Sequence, residues 1–144
     1  MNFDLDAIEL SASATFDLVI GHNEDKTPAG FRIVGTASDE YAAAARRIEL
    51  LNVKEAAARS KADEDKASEI DMTTDEGASQ VVDSTDTRRM IIIEACVVGW
   101  FGMRRGAAEA EFTTEGLRRL LALRPLWVRK ISDAIENDAN FTKG

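Results

Sequence analysis

The chain has 144 residues, of which 44% are hydrophobic, 6% aromatic and 31% charged, and its formal net charge is −8. That length supports one domain with a real core, or a small domain carrying an arm. The acidic sum argues against a nucleic-acid binder, which needs a concentrated basic face to release counterions from phosphates, and the longest apolar run, residues 90–101, contains Glu94 and is about half the ~20 residues of a membrane span.

Charge is unevenly spread along the chain. Residues 1–53 sum to −5, residues 54–87 to −6 and residues 88–144 to +3, the basic excess lying around Arg104, Arg105, Arg118, Arg119, Arg124, Arg129 and Lys130. A single cysteine, Cys96, rules out an internal disulfide and points to a reducing compartment. The opening MNFDLDAIEL has no basic stretch before an apolar run, so no secretory signal is expected and the chain reads as a soluble cytoplasmic protein.

In chain order, residues 15–20 alternate Phe16, Leu18 and Ile20 with Asp17 and Val19, the period of a half-buried strand. The turn-rich GHNEDKTPAG follows, then a second short strand over residues 31–34. Together they predict a β-hairpin within 14–35, which needs a further partner because two strands alone are marginal in water; residues 3–8 are one candidate. Ser38 with Asp39 and Glu40 predicts a helix start, a hydroxyl cap followed by carboxylates where the backbone dipole favours them. Tyr41, Ala44, Ala45, Ile48 and Leu51 then recur at helical spacing, giving a helix within 38–66 that lacks an apolar stripe beyond Val53. Residues 68–87 are acidic and rich in Ser and Thr. Too little there can be buried to offset about 1–2 kcal/mol of backbone entropy per ordered residue, so a mobile linker is expected.

A second helix is expected within 87–101, apolar on nearly all sides and ended by Gly99 and Gly102. Thr113 or Thr114 with Glu115 caps a third, within 114–124, and Pro125 opens a fourth, within 126–139. The fold class is α+β and mainly α. An N-terminal β-hairpin and helix (residues 1–66) are joined by an acidic flexible segment (67–87) to a C-terminal three-helix unit (88–144).

Reactive chemistry is sparse. His22, the only histidine, lies in a polar turn without a placed nucleophile or orienting carboxylate. Its neighbours Asn23, Glu24 and Asp25 lack the spacing of a calcium loop. Cys96 sits mid-helix between Ala95 and Val97, the setting of a small buried hydrophobe and not of an activated thiol. The GTAS turn at 35–38 lacks the lysine and glycines of a phosphate loop. No catalytic residue, metal set or cofactor is expected, and the reading is a binding protein, not an enzyme. Trp100, Phe101 and Trp127 are many large aromatics for a small core, and anchored Trp residues dominate interface energetics. The candidate partner-binding residues are Trp100, Phe101, Leu117, Leu120, Leu121, Trp127 and Ile131, with at least one of Leu120, Trp127 and Ile131 expected on an exposed apolar stripe used for a client or for self-association.

Three pieces occur in a suggestive order: FRIVGTASDEY, then a charged helical middle, then VVGWFG at 97–102 followed by FTTEGL at 112–117 and a terminal Asn140–Phe141. Together they resemble the tail assembly chaperones of long-tailed bacteriophages, over about two thirds of the chain. The charged, Ala-rich RRGAAEAE at 104–111 departs from that pattern. The resemblance implies a protein of the host cytoplasm, absent from the mature virion. It would bind the tape measure protein and help recruit tail tube subunits, with no nucleic acid or membrane partner. A structural virion component, a head–tail completion or minor tail protein, is the alternative, and a host-directed regulator or DNA-binding protein the third.

Overall fold

The computed structural model describes residues 13–65 and 75–142, with side chains described for 13–58 and 85–142. A hairpin of β1 (Thr15–His22) and β2 (Pro28–Val34) opens the fold, and a third strand, β3 (Val97–Phe101), pairs with the other edge of β2. The sheet is antiparallel in the order β1–β2–β3. Phe16 lies opposite Ile33 and Leu18 opposite Phe31, while Phe31 also faces Trp100 on the far side. Being central, β2 is hydrogen-bonded on both edges, and Phe31 and Ile33 are fully buried.

The hairpin and the α+β class agree with the sequence, but the third strand corrects an expectation. Residues 97–101 were expected to finish a helix; they are β3 instead. The run from Met90 onward is apolar on nearly every side, and such a run carries no clear period to separate helix from strand. Val97, Val98, Trp100 and Phe101 are residue types suited to a pleated surface, and β2 offers them an open edge. Residues 3–8, the other candidate for a third strand, lie outside the described residues.

Between β2 and β3 run two long helices, α1 (Asp39–Asp65) and α2 (Asp75–Cys96). One leaves the sheet and the other returns to it, so they lie antiparallel, and Arg88 bonds across to Asn52 and, at 2.8 Å, to Glu55. The start of α1 is built as its sequence implies: the Ser38 hydroxyl accepts the Tyr41 N–H at 3.1 Å and donates to the Gly35 carbonyl at 2.6 Å. The second helix begins some turns earlier than expected, at Asp75 and not near Thr87. That first part has no apolar stripe at helical spacing, so the sequence carries no period to mark it as helix. The rest of the expected linker, residues 67–74, lies outside the described residues.

After β3 comes a two-stranded ribbon, β4 (Arg104–Arg105) and β5 (Ala108–Glu109), turned at Gly106. Then follow α3 (Thr114–Leu123) and α4 (Pro125–Glu136). Thr113 caps α3 by accepting the Gly116 N–H at 2.9 Å, and Pro125 occupies the first position of α4, where its missing N–H is not needed. With α2, these make the expected three-helix unit. Helix α4 packs on β1, β2, α2 and α3, closing a core of Phe31, Ile33, Ile93, Cys96, Leu117, Leu121, Ile131 and Ile135. The chain's end is tied down. Asn140 donates to the Ala134 carbonyl, and the buried Phe141 ring meets Phe16 edge-on at 6.3 Å. Gly35 makes room for that ring, since a Cβ there would stand 2.5 Å from it.

Candidate partner-binding surface

The two tryptophans are both half-buried and play different parts. Trp100, on β3, donates its indole N–H to the Ala110 carbonyl at 2.8 Å and meets Phe112 edge-on at 5.2 Å. Gly116 of α3 lies under its ring, where a Cβ would come within 3.2 Å. Trp100 thus forms the floor of an open cleft of about 420 Å³ between the β4–β5 ribbon and α3, shared with Met103, Arg105, Arg119, Leu120 and Leu123. Trp127, on α4, packs edge-on against Phe31 at 6.2 Å, and the Arg124 guanidinium stands 5.6 Å above its ring.

The other expected site residues divide. Leu117, Leu121 and Ile131 are 0–2% exposed and belong to the core. Phe101 and Leu120 are half-buried, and Leu120 lines the cleft. The exposed apolar residues here are two that sequence reasoning did not single out: Leu123 and Leu126, each 78% exposed. They flank Arg124–Pro125, where α3 turns into α4. A signal for them was present. At 100° per residue, Leu123 lies about 120° from Leu117 on α3 and Leu126 about 140° from Ile131 on α4, outside both buried stripes.

Electrostatics sets this corner apart. From Gly116 to Ser132 (GLRRLLALRPLWVRKIS) there are five cations and no acid, in a chain whose net charge is −8. Among the described residues Arg118 pairs with Glu94 and Arg119 with Glu115, while Arg124, Arg129 and Lys130 form no ion pair. All three are exposed around the two leucines.

The cleft's ribbon wall is held from the hairpin loop. Arg104 reaches Asp25 at 3.0 Å, and the Asn23 amide donates to the Gly102 carbonyl at 3.0 Å. Gly102 is in the left-handed region at φ +67, and a Cβ there would stand 2.1 Å from the Pro28 carbonyl oxygen, so only glycine fits. The Asp25 carboxyl is lowered from 3.8 to about 2, first by the Thr27 hydroxyl at 2.6 Å, then by the Thr27 N–H and Arg104. A depressed carboxylate stabilises the fold above its ordinary pKa, and that contribution is lost as pH falls from about 3.8 through about 2. In a carbon-detected NMR titration the Asp25 midpoint should therefore lie well below 3.8, and Thr27→Val should raise it more than Arg104→Ala does.

Cys96 is fully buried, and burial, with a smaller contribution from Glu40, pushes its thiol up to about 12. It stays protonated at neutral pH, as a small hydrophobe would. Among the described residues no three His, Cys, Asp or Glu side chains gather as a metal-binding set, and no helix is long and apolar enough to cross a membrane. Compared with known proteins, the chain matches no family model, no curated protein and no solved structure.

Proposed function

We propose that the chain is an assembly chaperone of the kind that serves long-tailed phage tails, holding the tape measure protein in the host cytoplasm while tail tube subunits are recruited. The observation that carries a client-binding reading is the α3–α4 corner: two leucines, each 78% exposed, mounted on a rigid packed unit beside the Trp100 cleft. Exposing them costs the free protein hydration free energy that a client's apolar side chains recover on docking. Surrounding cations keep such a patch from associating indiscriminately. The tail-assembly assignment itself rests on the sequence resemblance.

The test is co-expression with the tape measure protein encoded by the same phage. Leu123→Asp with Leu126→Asp should lower the soluble tape measure fraction about tenfold, an effect on the order of 1.4 kcal/mol. Far-UV circular dichroism should be unchanged, because both side chains already face water. Wild-type chain that leaves the tape measure insoluble rejects the chaperone reading. Stoichiometric presence of the chain in purified virions, read by mass spectrometry, would replace it with a structural virion role.

A further inference from the structure

The chemistry of the client can be taken a step further, on the reading that the α3–α4 corner is the client-binding surface. We infer that this corner binds an acidic amphipathic helix of a partner protein, whose apolar face covers Leu123 and Leu126 and whose carboxylates meet Arg124, Arg129 and Lys130. The argument is charge complementarity around an apolar centre. The acid-free stretch 116–132 carries a formal +5 and the rest of this −8 chain −13; Arg118 and Arg119 are engaged with Glu94 and Glu115, which leaves the charge of Arg124, Arg129 and Lys130 for a partner. Carboxylates close to that corner gain from it, whereas a broadly acidic partner approaching elsewhere is repelled.

Leu126, Arg129 and Lys130 fall at i, i+3 and i+4 on α4 and so share one face of that helix. Across the corner Leu123 leads into the Trp100 cleft, which is roomy enough to take one large side chain of the docked helix. The same surface suits other anions poorly. Two exposed leucines at its centre have no apolar partner on a phosphate backbone. An anionic membrane would bring its charge against the −13 of the remaining chain.

The probe is a fluorescein-labelled peptide of about five helical turns, with leucine at i, i+3, i+4 and i+7 and glutamate at most other positions. Its partners are a counterpart with lysine for glutamate and a scramble of the acidic peptide. Binding to the full chain is read by fluorescence anisotropy. The acidic peptide should bind at least about tenfold more tightly than either control, and weaken about tenfold between about 0.01 and 0.15 M salt. Arg129→Glu with Lys130→Glu, both exposed, should cost about tenfold, and Leu123→Ser with Leu126→Ser as much. Circular dichroism checks the fold of each variant, and if the leucine variant were unfolded the charge variant decides.

Equal binding of the lysine peptide would overturn the inference, reducing the corner to unspecific stickiness. So would tighter binding of duplex DNA or of vesicles with a quarter phosphatidylserine, or a concentration-dependent self-association that the peptide cannot displace. The two readings fail separately. No acidic-peptide binding by a chain that still solubilises the tape measure sinks only the acidic helix. Normal peptide binding by a chain that leaves the tape measure insoluble sinks the tail-assembly reading.

Discussion

Phe31→Ala is expected to destabilise the protein by about 3–5 kcal/mol, enough to bring a domain of ordinary stability near its unfolding point at room temperature. Phe31 is fully buried on the central strand, faces Leu18 on one side and Trp100 on the other, and meets Trp127 edge-on. Removing the ring opens a cavity where the sheet, α4 and the seat of one tryptophan converge. A sheet backbone hydrogen-bonded on both edges of β2 cannot easily collapse into it. Urea unfolding should show the midpoint falling with little change in slope. Phe31→Leu, which keeps most of the volume, should cost less than about 1.5 kcal/mol. A loss below about 1 kcal/mol for the alanine variant would mean that the core is not centred on β2.

How far the sequence foretold this arrangement depends on how much period each segment carries. The β1–β2 hairpin was legible because Phe16, Leu18 and Ile20 alternate strictly, and the register sets the first two against Ile33 and Phe31. Helix starts were legible where a cap names them: Ser38, Thr113 and Pro125 all sit at the positions their chemistry implies. The third strand was hidden because Val97–Phe101 continues an apolar run without a period, and what decides its state is the open edge of β2, a residue contact over sixty positions distant in sequence. The candidate surface was only half legible. Trp100 and Trp127 announced themselves by type, but Leu117, Leu121 and Ile131 are the residues that hold the core, and the exposed pair is Leu123 and Leu126. An apolar residue advertises burial by default. Only its angle on a helix whose buried stripe is already known separates an interface leucine from a core leucine, and here that stripe was read before the packing of α3 on α4 could fix it.

Trp100→Ala is expected to cost about 3 kcal/mol and to dismantle the cleft while sparing the leucine corner. The figure sits at the low end for a tryptophan truncation because the side chain is half-buried, and it includes about 1 kcal/mol for the indole hydrogen bond to Ala110. Trp100 is what fastens the segment between the β4–β5 ribbon and α3. Its N–H holds Ala110, its ring holds Phe112, and Gly116 leaves the gap it fills. Without it, amide exchange across residues 108–113 should speed up by at least about tenfold, whereas amides of α4 and β2 should slow or quicken only with the global stability. Trp100→Phe separates the two contributions: ring contact with Phe112 survives, the Ala110 carbonyl turns to water, and the loss should stay near 1 kcal/mol. With the cleft taking a side chain of the docked client, binding of the acidic peptide should fall together with the exchange protection of 108–113 and recover in Trp100→Phe; unchanged binding in Trp100→Ala would take the cleft out of the binding surface.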